Sequence, residues 1–167
     1  MPVQPILRFP DPILSMPTSK VEQFDADLAA LAGDLLDTMR AAPGIGITAP
    51  HIGVLRRLTV IEIDAQSGTK IYVNPEIIWS SAETTTHAEG SVSMPGITED
   101  VTRPSQMRVR YQTLLGEEKE DRADGLLSIC MQHEIDQLDG IFWLQRLSRL
   151  KRERAIKRFA KQEKTAG

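Results

Sequence analysis

The stretch Gln132-His133-Glu134-Ile135-Asp136-Gln137 decides how this chain is read. It lies in a run from about Asp124 to Leu138 whose Leu126, Leu127, Ile129, Cys130 and Leu138 predict a helix. On a helix, positions i and i+4 share a face. A His-Glu-x-x-His sequence uses that spacing to set two imidazoles on one metal, with the glutamate as general base toward a metal-bound water. Here Gln137 stands in place of the second imidazole, and an amide oxygen is a poor zinc ligand. Taken alone, the stretch also fits a helix with a satisfied polar face.

Upstream, Pro2, Pro5, Pro10, Pro12 and Pro17 keep the chain extended or turning. Leu28, Leu31, Leu35 and Met39 recur at helical spacing and predict a helix from about Asp25 to Met39, with Asp25 as N-cap and Phe24 as its hydrophobic staple. Pro43 to Gly53 reads as a loop. Leu58 to Ile63 alternates as a strand, Asp64 to Thr69 as a hairpin turn, and Ile71 to Val73 begins the return strand. Ile77 to Trp79 and Arg108 to Tyr111 are further strand candidates. A last helix starts near Ser148, with Leu150, Ala155, Ile156 and Phe159 on one side. Strands cluster in the middle without β-α-β alternation, which argues for an α+β fold with mainly antiparallel sheet. Trp79 and Trp143 read as packing residues, and Cys130 as a small buried hydrophobe.

The 167 residues suit a single domain, 1–167, and apolar residues at 41% with charged residues at 26% exclude a disordered or collagen-like chain. One cysteine excludes an internal disulfide. No apolar run is long enough for a membrane span, and Met1 to Pro10 lacks a signal-peptide pattern, so a cytoplasmic protein is expected. Charge is uneven. Arg146 to Lys164 holds nine Lys or Arg against two acids, a net of +7 in a chain of −3, which leaves −10 elsewhere. A basic tail on an acidic body suggests either a polyanionic partner or a solvated helix face.

Two other stretches matter only in combination with the first. Gly44-Ile45-Gly46-Ile47-Thr48-Ala49-Pro50-His51 has two glycines that let a backbone pass close to a ligand. Glu89-Gly90-Ser91-Val92-Ser93-Met94-Pro95-Gly96 alone is a strand end and turn. Together, in this order and spacing, the three motifs resemble the peptide deformylases. The resemblance runs from Arg8-Phe9-Pro10-Asp11-Pro12 to Leu147-Ser148-Arg149-Leu150-Lys151. It implies antiparallel sheets packed around a central helix carrying His133, Glu134 and Gln137, with a C-terminal helix. The implied reaction is hydrolysis of the formyl group from the N-terminal methionine of new proteins. In that reaction a divalent metal held by a cysteine and two histidines activates water, and the motif glutamate moves the proton. A glutamine and the backbone N–H after the cysteine would hold the oxyanion.

This sequence departs from that pattern where the chemistry lies. Ser91 replaces the cysteine, Gln137 the second histidine and His51 the oxyanion glutamine, whereas His133, Glu134, Asp136, Gly44, Gly46, Gly90 and the Val92 N–H are kept. A neutral hydroxyl and an amide bind transition metals poorly, so no tightly bound metal and no ordinary deformylase activity are expected, with zinc or iron only in a remodelled site. Such a site would use His51, His133 and Glu134; alternatively His51 fills space or hydrogen-bonds Ser91 or Glu134. A third reading pairs Ser91 as nucleophile with His133 as base. The substrate pocket is expected at Gly44, Ile45, Gly46, His87, Glu89, Gly90, Leu126, Ile129 and Cys130. On a strand His87, Glu89 and Ser91 point the same way, so His87 either makes the pocket more polar or faces solvent. The expected partners are an N-terminal methionine peptide and, through the basic C-terminal helix 148–164, the ribosome. Neither a membrane nor sequence-specific nucleic acid is expected.

Overall fold

A computed structural model describes residues 3–166, so Met1, Pro2 and Gly167 lie outside the described residues. The N-terminal segment turns through a short 3-10 stretch, Pro12–Ser15, before helix α1 at Ala26–Ala41. Asp25 caps α1, its carboxylate accepting from the Leu28 N–H at 3.0 Å, and Phe24 packs into the core beneath. Strands β1 (Gly46–Thr48), β2 (Leu58–Ile61), β3 (Lys70–Ser80), β6 (Gln106–Gln112) and β7 (Glu118–Asp124) form one antiparallel sheet in the order β1-β2-β3-β6-β7. Strands β4 (Thr84–Ser91) and β5 (Met94–Pro104) form a separate hairpin.

Helix α2, Gly125–Leu138, is the hub. Every residue from Ser128 to Leu138 is buried, which marks a helix enclosed on all sides. Cys130, Met131 and Ile135 pack against Ile61, Tyr72, Met107, Val109 and Ala123 of the five-stranded sheet. Helix α1 covers another part of that sheet, with Leu28, Leu35 and Met39 against Ile47, Leu58, Val60 and Val73. Helix α3, Arg149–Ala166, lays Ala155 and Phe159 on Met94, Ile97 and Val101 of β5 and on Trp143. The architecture is therefore α+β, with antiparallel sheets around the motif helix.

Several sequence expectations need correction. Ile71 to Val73 and Ile77 to Trp79 belong to one strand, β3, bent by register shifts between Val73 and Glu76 and between Ile77 and Trp79. The loop Pro43 to Gly53 contains β1 and a 3-10 turn, Ala49–Ile52. Trp143 is core, but Trp79 is 41% exposed beneath the guanidinium of Arg122, 5.4 Å from the ring centroid. No helix of the described residues is long and apolar enough to cross a membrane.

Candidate active site

Helix α2 delivers His133 and Glu134 to the floor of a cleft of about 520 Å³. Each is held by its surroundings in a different way. The Nδ1 of His133 lies 2.9 Å from Oε1 of Glu89 on β4. Glu89 also accepts two bonds from Arg103 on β5, at 2.6 and 2.9 Å. Burial pushes Glu89 up, but His133 and Arg103 outweigh it and hold its carboxyl at about 2. An ionised carboxylate only accepts, so the His133 Nδ1–H is the donor. Arg103 continues to Asp136 at 2.8 Å, and Arg146 clamps both oxygens of Asp136 at 2.9 and 2.8 Å. One chain of charges, buried except at Arg146, thus ties β4, β5, α2 and the 3-10 turn Trp143–Arg146 together. Burial opposes charge on His133, but Glu134 and Glu89 beside it raise the ring above its ordinary value.

Glu134 has no comparable partner. Its Oε1 is buried without a hydrogen bond, and burial pushes the carboxyl up to about 7. Its other oxygen lies against Gly46, where a Cβ would also come within 2.9 Å of the Cys130 Sγ. Glycine at 46 is what lets β1 pass this close to α2. The same segment brings His51, which is 1% exposed. Its Nδ1 accepts from the Thr48 N–H at 2.9 Å, with the Thr48 hydroxyl also at 2.9 Å. Its Nε2 is buried and unpartnered. Burial, reinforced by His133, lowers His51 to about 3, so the ring is neutral.

The opposite wall is the β4–β5 hairpin. A register shift between Glu89 and Ser91 re-aims the strand before the two-residue tip Val92-Ser93. Gly44 faces this tip, and a Cβ there would meet Val92 Cγ1 at 2.9 Å. Ile45 and Leu126, 40% and 39% exposed, flank the mouth, and Ile129 and Cys130 line the apolar side. His87, Glu89, Gly90, Ser91 and Val92 complete the lining named from sequence. Met94 and Ile97 on β5 also line it.

A polypeptide deformylase family model matches residues 3–153. The chain belongs to that family. A "Peptide deformylase-like" protein of Rhizobium meliloti is 62% identical over 161 residues, covering 96% of this chain and 94% of that protein. A "Peptide deformylase" of the same organism and strain is 41% identical, covering 100% and 98%. Among solved structures, a peptide deformylase from Legionella pneumophila superposes with a TM-score of 0.93 at 37% identity, covering 99% and 98%. A peptide deformylase from Synechococcus elongatus, solved in complex with actinonin, gives 0.90 at 33% identity over 95% and 88%.

At the positions that the family resemblance gives to metal ligands stand Ser91, His133 and Gln137. Among the described residues no group of three or more His, Cys, Asp or Glu side chains is placed to hold a metal ion. Gln137 does not line the cleft; its Nε2 donates to the Leu14 carbonyl at 2.7 Å. The Ser91 hydroxyl accepts from the Ser93 N–H at 3.1 Å. No hydrogen bond joins Ser91 to His133, so the nucleophile–base pair entertained from sequence is not assembled. His51 bonds Thr48 rather than Ser91 or Glu134. The Nδ1 lone pair is used there, which puts the proton of the neutral ring on Nε2.

His87 is exposed at the rim of the cleft; its pairing with β5 is regular through Glu89, so it shares Glu89's side of the strand and sits farther out along it. Glu89 itself lines the cleft, but its oxygens hold Arg103 and His133, a positioning arrangement rather than a ligand contact. Sequence reasoning missed Arg103, Arg146 and Thr48. Only Thr48 carried a local signal, since it stands three residues before His51 at the start of a Pro-containing turn.

Proposed function

We propose that this member of the deformylase family binds an N-terminal methionine-type peptide in the cleft without the family's metal-dependent deformylation. The observation that carries this reading is a divided one. The cleft keeps its apolar mouth and its Glu134 and His133 floor, while the Gln137 amide is turned onto Leu14. Structural zinc sites draw on the order of 10–16 kcal/mol from deprotonated strong ligands. One imidazole, a hydroxyl and a withdrawn amide supply far less. That Rhizobium meliloti has both a deformylase and a deformylase-like protein supports a division of labour in such relatives. The basic face of α3 supports a companion proposal, association with the ribosome by phosphate contacts.

The purified protein is to be analysed for bound iron, zinc and nickel, and assayed for formyl-Met-Ala-Ser hydrolysis with and without added metal. Titration calorimetry measures binding of the same peptide. Substoichiometric metal, no turnover and measurable binding are expected; a stoichiometric metal with turnover overturns the proposal. The second reading is an amide hydrolase with a remodelled site of His51, His133 and Glu134. It is favoured by one observation, that both His51 Nε2 and Glu134 Oε1 are buried without partners. Turnover that survives a chelator would select it.

A further inference from the structure

We propose that the C-terminal half of α3 braces the cleft wall through Gln162 and Arg158, and that RNA taken up on the basic face of α3 loosens that wall. Between helix and cleft the wall is one strand thick. Met94 and Ile97 of β5 line the cleft and also belong to the apolar cluster that holds Ala155 and Phe159 of α3. Two polar side chains of α3 grip the same run of β5 by its backbone. Gln162 Nε2 donates to the Pro95 carbonyl at 2.7 Å. Arg158 Nη2 donates to the Thr98 carbonyl at 3.1 Å and to Glu99 Oε1 at 2.9 Å. Gly96 fits this approach: its φ is +84°, and a Cβ there would come within 2.7 Å of the Gln162 Oε1. The constraint reaches the facing strand, because a Cβ at Gly90 of β4 would meet the Ile97 carbonyl oxygen at 2.8 Å. Arg158 and Gln162 share a surface depression with Lys161. Lys161 is exposed, and Arg154, Lys157 and Lys164 continue its row along one face of the helix. A phosphodiester seated at Lys161 therefore offers charged oxygens to the two side chains that hold the wall. Bonds to such oxygens are stronger than those to neutral carbonyls. Arg158 and Gln162 then exchange β5 for phosphate, and the wall loses its outer brace. By linkage, a ligand that stiffens the wall weakens RNA binding by the same factor.

The RNA half of this inference rests on the ribosome proposal; the bracing half does not. Both are tested on the full chain by amide hydrogen exchange at Gly90, Gly96, Ile97 and Thr98, with a short RNA hairpin at low salt as the probe. Arg158→Met with Gln162→Ala should speed exchange at these amides about fivefold, the weight of one ordinary hydrogen bond, and leave the β6 amides unchanged. Exchange equal to that of the native protein, or a rise spread over β6 as well, overturns the bracing. Saturating RNA should produce a like rise in the native protein and no further rise in the double variant. Bound RNA with unchanged exchange in the native protein overturns the coupling. Glu99→Gln, which releases Arg158, should tighten RNA binding about threefold by fluorescence anisotropy, and the gain should vanish in combination with Arg158→Met. A gain that survives Arg158→Met overturns the part given to Arg158. If the RNA does not bind, the ribosome proposal and the coupling both fall, while the variant comparison still decides the bracing.

Discussion

Glu134 carries its burial without a hydrogen-bond partner for its Oε1, so its titration shows in stability. Its carboxyl titrates near 4.5 when unfolded and at about 7 in the fold, where burial disfavours the charge. Between those values the folded state holds the extra proton, so stability falls as pH rises from 4.5 through 7. Glutamine removes the titration and keeps the shape. Glu134→Gln should therefore gain on the native protein by about 3 kcal/mol between pH 4 and pH 8. Urea titrations across that range measure it, and a pH-independent difference would contradict the placement of Glu134. Glu89 behaves in the opposite sense. Held at about 2, it contributes stability above 4.5 that is lost as pH falls toward 2.

At the scale of elements, Arg103 fastens the hairpin to the motif helix. It is 5% exposed and bridges Glu89 of β4 to Asp136 of α2. Arg103→Met leaves Glu89 and Asp136 each short of a partner in the interior. Breaking a buried pair this way costs about 3–5 kcal/mol, to be read from chemical denaturation. A Lys substitution should rescue little, because the two bonds to Glu89 and the one to Asp136 use three separate guanidinium nitrogens.

Helix α3 divides its residues by face. Ala155 and Phe159 pack inward, while Arg154, Lys157 and Lys161 are exposed. Reversing those three charges to Glu should leave thermal stability nearly unchanged, since surface substitutions usually act within ±0.5 kcal/mol. It should also abolish co-sedimentation with ribosomes at low salt. Unaltered pelleting would discredit the ribosome proposal.

For the molecule as a whole, the chain has the family fold, and the proposal that the metal chemistry is lost rests on three positions. The match to solved deformylases extends over nearly the entire chain, and the positions that the resemblance gives to two of the metal ligands carry a hydroxyl and an amide. Ser91→Cys together with Gln137→His should therefore create one zinc site per chain, measurable by elemental analysis. Neither single substitution should bind zinc stoichiometrically. The metal-free double variant should be less stable by about 1–3 kcal/mol, because the Leu14 carbonyl loses its donor. Zinc should restore that loss. A double variant that binds no metal would count against the correspondence of these positions.

The helices and the central strands were legible because their signals are local. Asp25 with Leu28, Leu31, Leu35 and Met39 marks α1, and the alternation read over Leu58 to Ile63 marks β2, which forms at Leu58–Ile61. Strand β7 was not legible, since Glu118–Asp124 buries only Ala123 and shows no apolar alternation. Strand β5 was hidden by Pro95, Gly96 and Pro104 within a run that also mixes charges. By itself, the sequence determined the chemical inventory of the site: a hydroxyl at Ser91, an amide at Gln137 and an imidazole at His51. Only the tertiary structure decided how those atoms are engaged. The Gln137 amide is turned to a carbonyl 123 positions away, and the His133 ring is held by a carboxylate 44 positions away. Residue type fixes what an atom can donate or accept, but its partner is set by packing between distant segments, which no local pattern records.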